Sequence, residues 1–272
     1  MEIKAADVAK LRKMTGAGMM DCKQALQEAN GDYTRAQEII REKGKLIASK
    51  RADREASEGY VAAKVVGGKA YMLCLACETD FVAKNVDFIA TANDLLETAI
   101  KNDAADLAAL KAIKSGEQTI EAMVTEKSGQ TGEKIELAYY GKIEAPMCES
   151  YVHMNSKLGT IVGFNAEIPK EVAHDVAMQA TAMAPVAISA ADTPAEIIEQ
   201  ERKIGREQAV QEGKPEAMLD KIAEGKVQKF LKENTLLSQA LVKDNKITVE
   251  QYIKNANPEA TVVAYQRFSL ND

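Results

Sequence analysis

Two apolar runs, residues 59–66 and 70–77, are separated by Gly67-Gly68, and two runs about a tight glycine turn specify a β-hairpin. The hairpin sets the fold class. Antiparallel strands must be combined with the helical segments around them, an α+β arrangement. A loop at residues 78–85 leads from the hairpin into a helix at 87–101. More helix is expected at 104–113 and 119–126, and a strand at 134–143. The series then returns. Tyr151-Val152 opens a strand, residues 158–167 a second, and 170–183 a helix. Tyr60-Val61 and Tyr151-Val152 lie 91 residues apart, which predicts an internal duplication and two similar lobes packed side by side.

Helical units flank and interrupt these lobes. Val8, Leu11, Cys22, Leu26, Ala29, Ala36, Ile39 and Ile40 recur at helix spacing, and Thr15-Gly16-Ala17-Gly18 breaks the first segment. Asp21 and Asp32 are candidate caps for a second and third helix, Asn30-Gly31 ends the second, and Gly44 sits where a C-terminal glycine belongs. Residues 45–57 read as a helical linker. Pro194 opens a long helix to residue 212, Gly213-Lys214-Pro215 turns the chain, and 216–232 returns. Its apolar positions (Ile197, Ile204, Met218, Ile222, Phe230) are sparse among charges, as in a protruding antiparallel hairpin packed along one stripe. The hairpin either meets a second copy, giving a homodimer, or simply protrudes. A short helix at 249–254 precedes a last strand at 261–268, which must join one of the sheets. The expected division is 1–55, 56–145 and 146–272, with the hairpin at about 194–234.

Composition excludes several functions. With 35 Lys and Arg against 41 Asp and Glu, the net charge of −6 argues against a bulk nucleic-acid binder. Two His and no Trp leave little for a metal cage or a base-stacking platform. No apolar run spans a membrane, the N-terminus lacks a signal peptide's apolar core, and the four cysteines are too few for a disulfide framework. A cytoplasmic protein is expected. Gly67-Gly68-Lys69 lacks the rest of a phosphate loop, and Gly16-Ala17-Gly18 joins two helices without the strand a dinucleotide site requires. Cys74 and Cys77 suggest a redox pair or half a zinc site. Inside an apolar strand, however, residues three apart face opposite sides, which favours structural, reduced thiols. His153 and His174 stand alone in the sequence.

Two features are not explained by folding alone. Met19-Met20 places two flexible apolar side chains at a loop-to-helix junction, where they either plug a very small core or serve an adaptable binding surface. Phe81, beside Asp80 in the expected loop, enters either its own core or a partner's pocket.

The same two segments carry a family resemblance. Leu11-Arg12-Lys13-Met14-Thr15-Gly16-Ala17-Gly18-Met19-Met20-Asp21-Cys22-Lys23-Gln24-Ala25-Leu26, followed by Asn30-Gly31-Asp32, resembles the N-terminal signature of bacterial translation elongation factor Ts. Thr79-Asp80-Phe81-Val82-Ala83-Lys84-Asn85 resembles that family's second signature. The likeness extends over nearly the whole chain. It implies an N-terminal three-helix unit similar to ubiquitin-associated domains, a core of two related α+β subdomains, and an antiparallel coiled-coil insertion in the second. The implied activity is guanine-nucleotide exchange on elongation factor Tu, the GTPase that carries aminoacyl-tRNA. The partner holds the nucleotide and Mg²⁺, so no cofactor, metal or catalytic residue is implied here. Asp80 and Phe81, flanked by Thr79 and Val82, would enter the partner's GTPase domain near its Mg²⁺. Leu11, Arg12, Met19 and Met20 would dock on the same domain, and His153 on the partner's C-terminal β-barrel. Two departures stand out. The chain stops at Ser269-Leu270-Asn271-Asp272, without the further C-terminal helix common in the family, and Met154-Asn155-Ser156-Lys157 lacks a glycine common after the histidine. Two alternatives come from other classes: a passive ubiquitin-associated-like adaptor working through residues 1–55, and a redox enzyme using Cys74 and Cys77.

Overall fold

A computed structural model describes residues 3–116 and 118–271. The outermost residues of the expected first and last units (1, 2 and 272) therefore lie outside the described residues. The chain opens with three helices, α1 (Ala5–Thr15), α2 (Met19–Glu28) and α3 (Tyr33–Lys50). Val8, Leu11, Cys22, Ala25, Leu26, Ala36 and Ile40 form their core, the positions that helical spacing selects. Asp32 caps α3, accepting from the Arg35 N–H at 3.0 Å. Asp21 is not a cap. Extended Gly18 is the N-cap of α2, so Asp21 falls in the first helical turn and pairs with Lys43. Gly44 is not a terminus either. It is buried inside α3, where its backbone packs against Gly129.

The hairpin forms as expected, with β1 (Glu58–Val66) and β2 (Lys69–Cys77) paired about Gly67, whose φ is 60°. The expected loop at 78–85 contains a single helical turn, α4 (Asp80–Ala83), followed by α5 (Val86–Lys101) and α6 (Leu107–Ala112). Short strands β3 (Lys114–Ser115) and β4 (Gln118–Thr119) lead into α7 (Ile120–Thr131), and β5 (Glu136–Glu144) returns beside β2. The second sheet follows the same plan. β6 (Met147–Val152) and β7 (Leu158–Phe164) form a hairpin, α8 (Lys170–Met183) covers it, and β10 (Val262–Ser269) pairs antiparallel with β7. Between them lie α9 (Ala195–Gln211), α10 (Glu216–Asn234), β8 (Ala240–Leu241), β9 (Asp244–Thr248) and α11 (Val249–Ala256). The sheet orders are β1-β2-β5 and β10-β7-β6, so the second strand of each hairpin is central. Tyr151-Val152 closes β6 and does not open it. Val152 precedes the turn as Val66 does, so the 91-residue spacing aligns positions that are not equivalent.

The two sheets stack face to face, and helices cover the outer face of each. Ala70, Met72, Cys74 and Ala76 of β2 meet Cys148 and Ile161 between the sheets, whereas Tyr71, Leu73, Leu75 and Cys77 meet α5 and α7. Strict alternation on a strand buried on both faces accounts for the unbroken apolar run that marked this segment in the sequence. Val162 and Phe164 anchor the second helical layer, with Val176 of α8 and Ile253 of α11. The α9–α10 pair packs through Gly205, Ala209, Leu219, Ala223 and Val227, not through the expected stripe. Ile204 and Met218 are exposed, because small residues bring the helices close and turn the larger ones outward.

Candidate functional site

The Asp80–Ala83 turn projects from the end of β2 and is fixed from beneath. The Thr79 hydroxyl caps it, accepting from the Val82 N–H at 3.4 Å, and itself donates to Glu133 at 2.6 Å. The N–H groups of Glu78 and Thr79 donate to the other Glu133 oxygen at 3.1 and 3.0 Å. Arg51, at the end of α3, donates to both oxygens of Glu78 at 2.8 and 2.9 Å, and the Lys134 N–H donates to the same carboxylate at 2.6 Å. Burial pushes the Glu78 carboxyl up, but these hydrogen bonds outweigh it and hold the group below the usual carboxylate range. Asn85 then caps α5, accepting from the Asp87 and Phe88 N–H groups. Ala83 is buried and Val82 packs against the core of the first sheet.

Little freedom remains except at the tip, where Phe81 is 84% exposed. Its ring does not enter this protein's own core. Asp80, one residue before, binds Lys84 at 2.7 Å, and that bond is the main cause that lowers its pKa below the ordinary carboxylate value. Phe81 and Val82 border a cleft of about 610 Å³ whose opposite wall includes Gly16 and Gln130. Gln130 donates to the Thr15 carbonyl at 2.6 Å, which brings the α1–α2 junction up to the signature turn.

The N-terminal residues divide sharply. Met19 and Met20 occupy the first helical positions of α2 at 46% and 75% exposure, because Cys22, Ala25 and Leu26 already fill its inner face. They do not plug the small core. Arg12 is exposed on α1. Leu11 is fully buried in the three-helix core, so its side chain supports this surface from below and is not exposed on it. This corrects the expectation that Leu11 docks alongside the methionines.

His153 is exposed at the start of the β6–β7 turn, and Tyr151 joins it to His174. The Tyr151 hydroxyl lies 3.3 Å from His153 Nδ1, and its ring meets that of His174 edge-on at 5.5 Å. The two histidines are solitary in sequence but adjoin one tyrosine in space. Beside them opens an apolar cavity of about 380 Å³ bordered by Leu158, Met178, Leu241 and Val242. Asp175 in its wall is buried and held by Lys243 at 2.7 Å and the Tyr252 hydroxyl at 2.8 Å.

Cys74 and Cys77 point to opposite faces of β2. Burial pushes both thiols up, Cys77 to about 12, so neither supplies the thiolate that redox chemistry requires. Among the described residues, no helix is long and apolar enough to cross a membrane. Sequence reasoning missed Glu133, Arg51 and Gln130. Their partners are 27 to 115 residues away, so no local pattern marks them.

Comparison with known proteins gives a consistent picture. The family model described as Elongation factor TS matches residues 78–272. A protein named Elongation factor Ts from Porphyromonas gingivalis is 48% identical over 272 residues, covering 100% of this chain and 99% of its own length. Proteins of the same name from Azobacteroides pseudotrichonymphae and Christiangramia forsetii are 48% and 46% identical, each over at least 99% of both chains.

Proposed function

The chain belongs to the elongation factor Ts family, and from that premise we propose that it is a non-enzymatic guanine-nucleotide exchange factor for elongation factor Tu, acting in the cytoplasm. The observation that carries this reading is the exposure of Phe81 at the tip of an otherwise immobilised turn. An aromatic ring held out in water gains nothing for its own fold. It is the kind of anchor that fills a partner's pocket, for about 2 to 4 kcal/mol.

A translational GTPase that holds GDP at about nanomolar strength binds it by about 12 kcal/mol. Spontaneous release is then slow, since off-rates carry most of an affinity. An acceleration of about four decades requires about 5.5 kcal/mol off the dissociation barrier. Burial of Phe81 supplies part of that by displacing the partner elements that hold Mg²⁺. Without the ion, the diphosphate's charge is uncompensated and its exit is faster. Asp80 adds a negative charge near the same site, with Thr79 and Val82 fixing its direction. Met19, Met20 and Arg12 dock the three-helix unit, similar to ubiquitin-associated domains, on the same GTPase domain. His153 and the adjoining apolar cavity offer a second contact for the partner's β-barrel. In this reading residues 1–55 dock, 56–145 carry the wedge, and 146–272 hold the far contact and a coiled-coil hairpin.

The test is release of fluorescent GDP from the partner GTPase on mixing with the full chain, with and without excess Mg²⁺. Release should accelerate, and excess Mg²⁺ should damp the acceleration. Release no faster than from the GTPase alone, at saturating concentrations of this protein, overturns the reading.

A further inference from the structure

The β6–β7 turn, residues 153–157, reaches from the second sheet to the base of the signature turn. It is an ordered turn, with Ser156 in the left-handed region at φ 56° and the Lys157 N–H donating to the Asn155 side chain at 3.1 Å. Its backbone is tied to the first sheet. The Ser156 carbonyl accepts from the Val61 N–H at 2.7 Å, satisfying a donor on the open edge of β1. Lys157 Nζ donates to one oxygen of Glu58 at 2.5 Å, and both side chains are more than three-quarters buried. The other Glu58 oxygen is buried and has no hydrogen-bond partner, so Lys157 is the principal compensation for that charge. Glu58, Asp80, Lys84 and Lys157 border one cleft of about 500 Å³, together with Met154, which is 92% exposed. Asp80 is held charged first by Lys84, and Lys157 adds a smaller pull of the same sign.

We propose that Lys157 is a positioning residue for exchange. By clamping Glu58 and facing Asp80 across their shared cleft, it fixes the Asp80–Ala83 turn relative to the second sheet. The same short turn begins at His153, beside the apolar cavity, so contact at the far site and the aim of Phe81 share one rigid connection. This inference rests on the reading of Phe81 as the intruding group. Lys157 need not touch the partner. Its removal leaves the docking surface in place but loosens the wedge, and misplacement of a working group by about 1 Å is enough to lose rate heavily.

The experiment compares wild type, Lys157→Met and Lys157→Arg in the release of fluorescent GDP from the partner GTPase, separating maximal rate from half-saturating concentration. Lys157→Met should lower the maximal rate about tenfold while changing the half-saturating concentration less than about twofold, and Lys157→Arg should recover most of the rate. In parallel, the backbone amide resonances of residues 80–84 in the free protein should shift in Lys157→Met and return in Lys157→Arg. If Lys157→Met is too unstable to assay, Glu58→Gln with Lys157→Met removes both charges and replaces it. Wild-type maximal rate in the Met variant, unmoved amides, a loss confined to half-saturation, or failure of Arg to rescue each overturns the proposal. If wild type itself does not accelerate release, it is the exchange reading that fails, and the amide shifts of the free protein still decide whether Lys157 holds the turn.

Discussion

Phe81 and Leu11 show how much a single position reveals. Both are large apolar residues within signature segments, yet one is 84% exposed and the other fully buried. Leu11 follows Val8 at helical spacing and continues an apolar face, which marks it for the core. Phe81 has apolar Cys77 and Phe88 at helical spacing as well, so periodicity leaves its own core and a partner's pocket both open. Resemblance to a signature groups residues that share a motif without saying which of them face outward. Because Phe81 is 84% exposed and adds little to the core, Phe81→Ala should leave stability within about 0.5 kcal/mol of wild type in thermal denaturation. The same variant should slow GDP release by about 30-fold or more, which corresponds to about 2 kcal/mol of the release barrier. A variant that releases GDP at the wild-type rate removes Phe81 from the mechanism.

Among the elements, α3 and α7 show why boundaries read from glycine can mislead. Gly44 resembles a helix end because glycine is common there, but here it lies mid-helix at the crossing of α3 with α7, opposite Gly129. The crossing is asymmetric. A Cβ on Gly129 would lie 2.4 Å from Gly44 Cα, a distance no packing tolerates, whereas a Cβ on Gly44 would meet Gly129 Cα at 3.4 Å, an ordinary contact. Gly129→Ala should therefore cost about 1 to 3 kcal/mol in denaturant unfolding, while Gly44→Ala stays within about 1 kcal/mol of wild type because helix propensity offsets any crowding. Equal losses would mean that the helices do not cross at this pair. The single turn α4 was unreadable for a different reason: four residues carry no period, and its anchor, Glu133, is remote. Asp103 is comparable, joining the end of α5 to Lys69 and Tyr71 of β2 and to Lys142 of β5. The Lys69 hydrogen bond, then those of Lys142 and Tyr71, hold its carboxyl well below the ordinary 3.8. A depressed folded-state pKa contributes stability that is complete above the unfolded value and is lost as pH falls through and below it. Asp103→Asn, which tolerates the same left-handed backbone, should lower the melting temperature at pH 7. That difference from wild type should shrink below about pH 4. A difference that grows on acidification would contradict the assigned sign.

For the whole molecule, the α+β class and the paired lobes were legible because a hairpin followed by helix is written twice in local patterns. The stacking of the two sheets was not. It depends on which face of β2 meets β7, and a strand buried on both sides shows no alternation to read. That stacking places Phe81 and His153 in one body, and the roles proposed for them and for Met19 and Met20 are thermodynamically separable. Groups that only dock bind the GDP-loaded and the nucleotide-free partner alike, whereas a wedge acts on the difference between the two states. By linkage, the factor by which GDP weakens this protein's grip equals the factor by which this protein weakens GDP binding. Met19→Ala with Met20→Ala should therefore raise both dissociation constants by a similar amount, about tenfold, and leave their ratio unchanged. Phe81→Ala should contract the ratio itself, because it removes an interaction available only once the nucleotide site has opened. Calorimetric titration of each variant against both partner states measures the two constants directly. A methionine double variant that contracts the ratio as much as Phe81→Ala would make the three-helix unit part of the wedge, and the division between docking and intrusion would have to be abandoned.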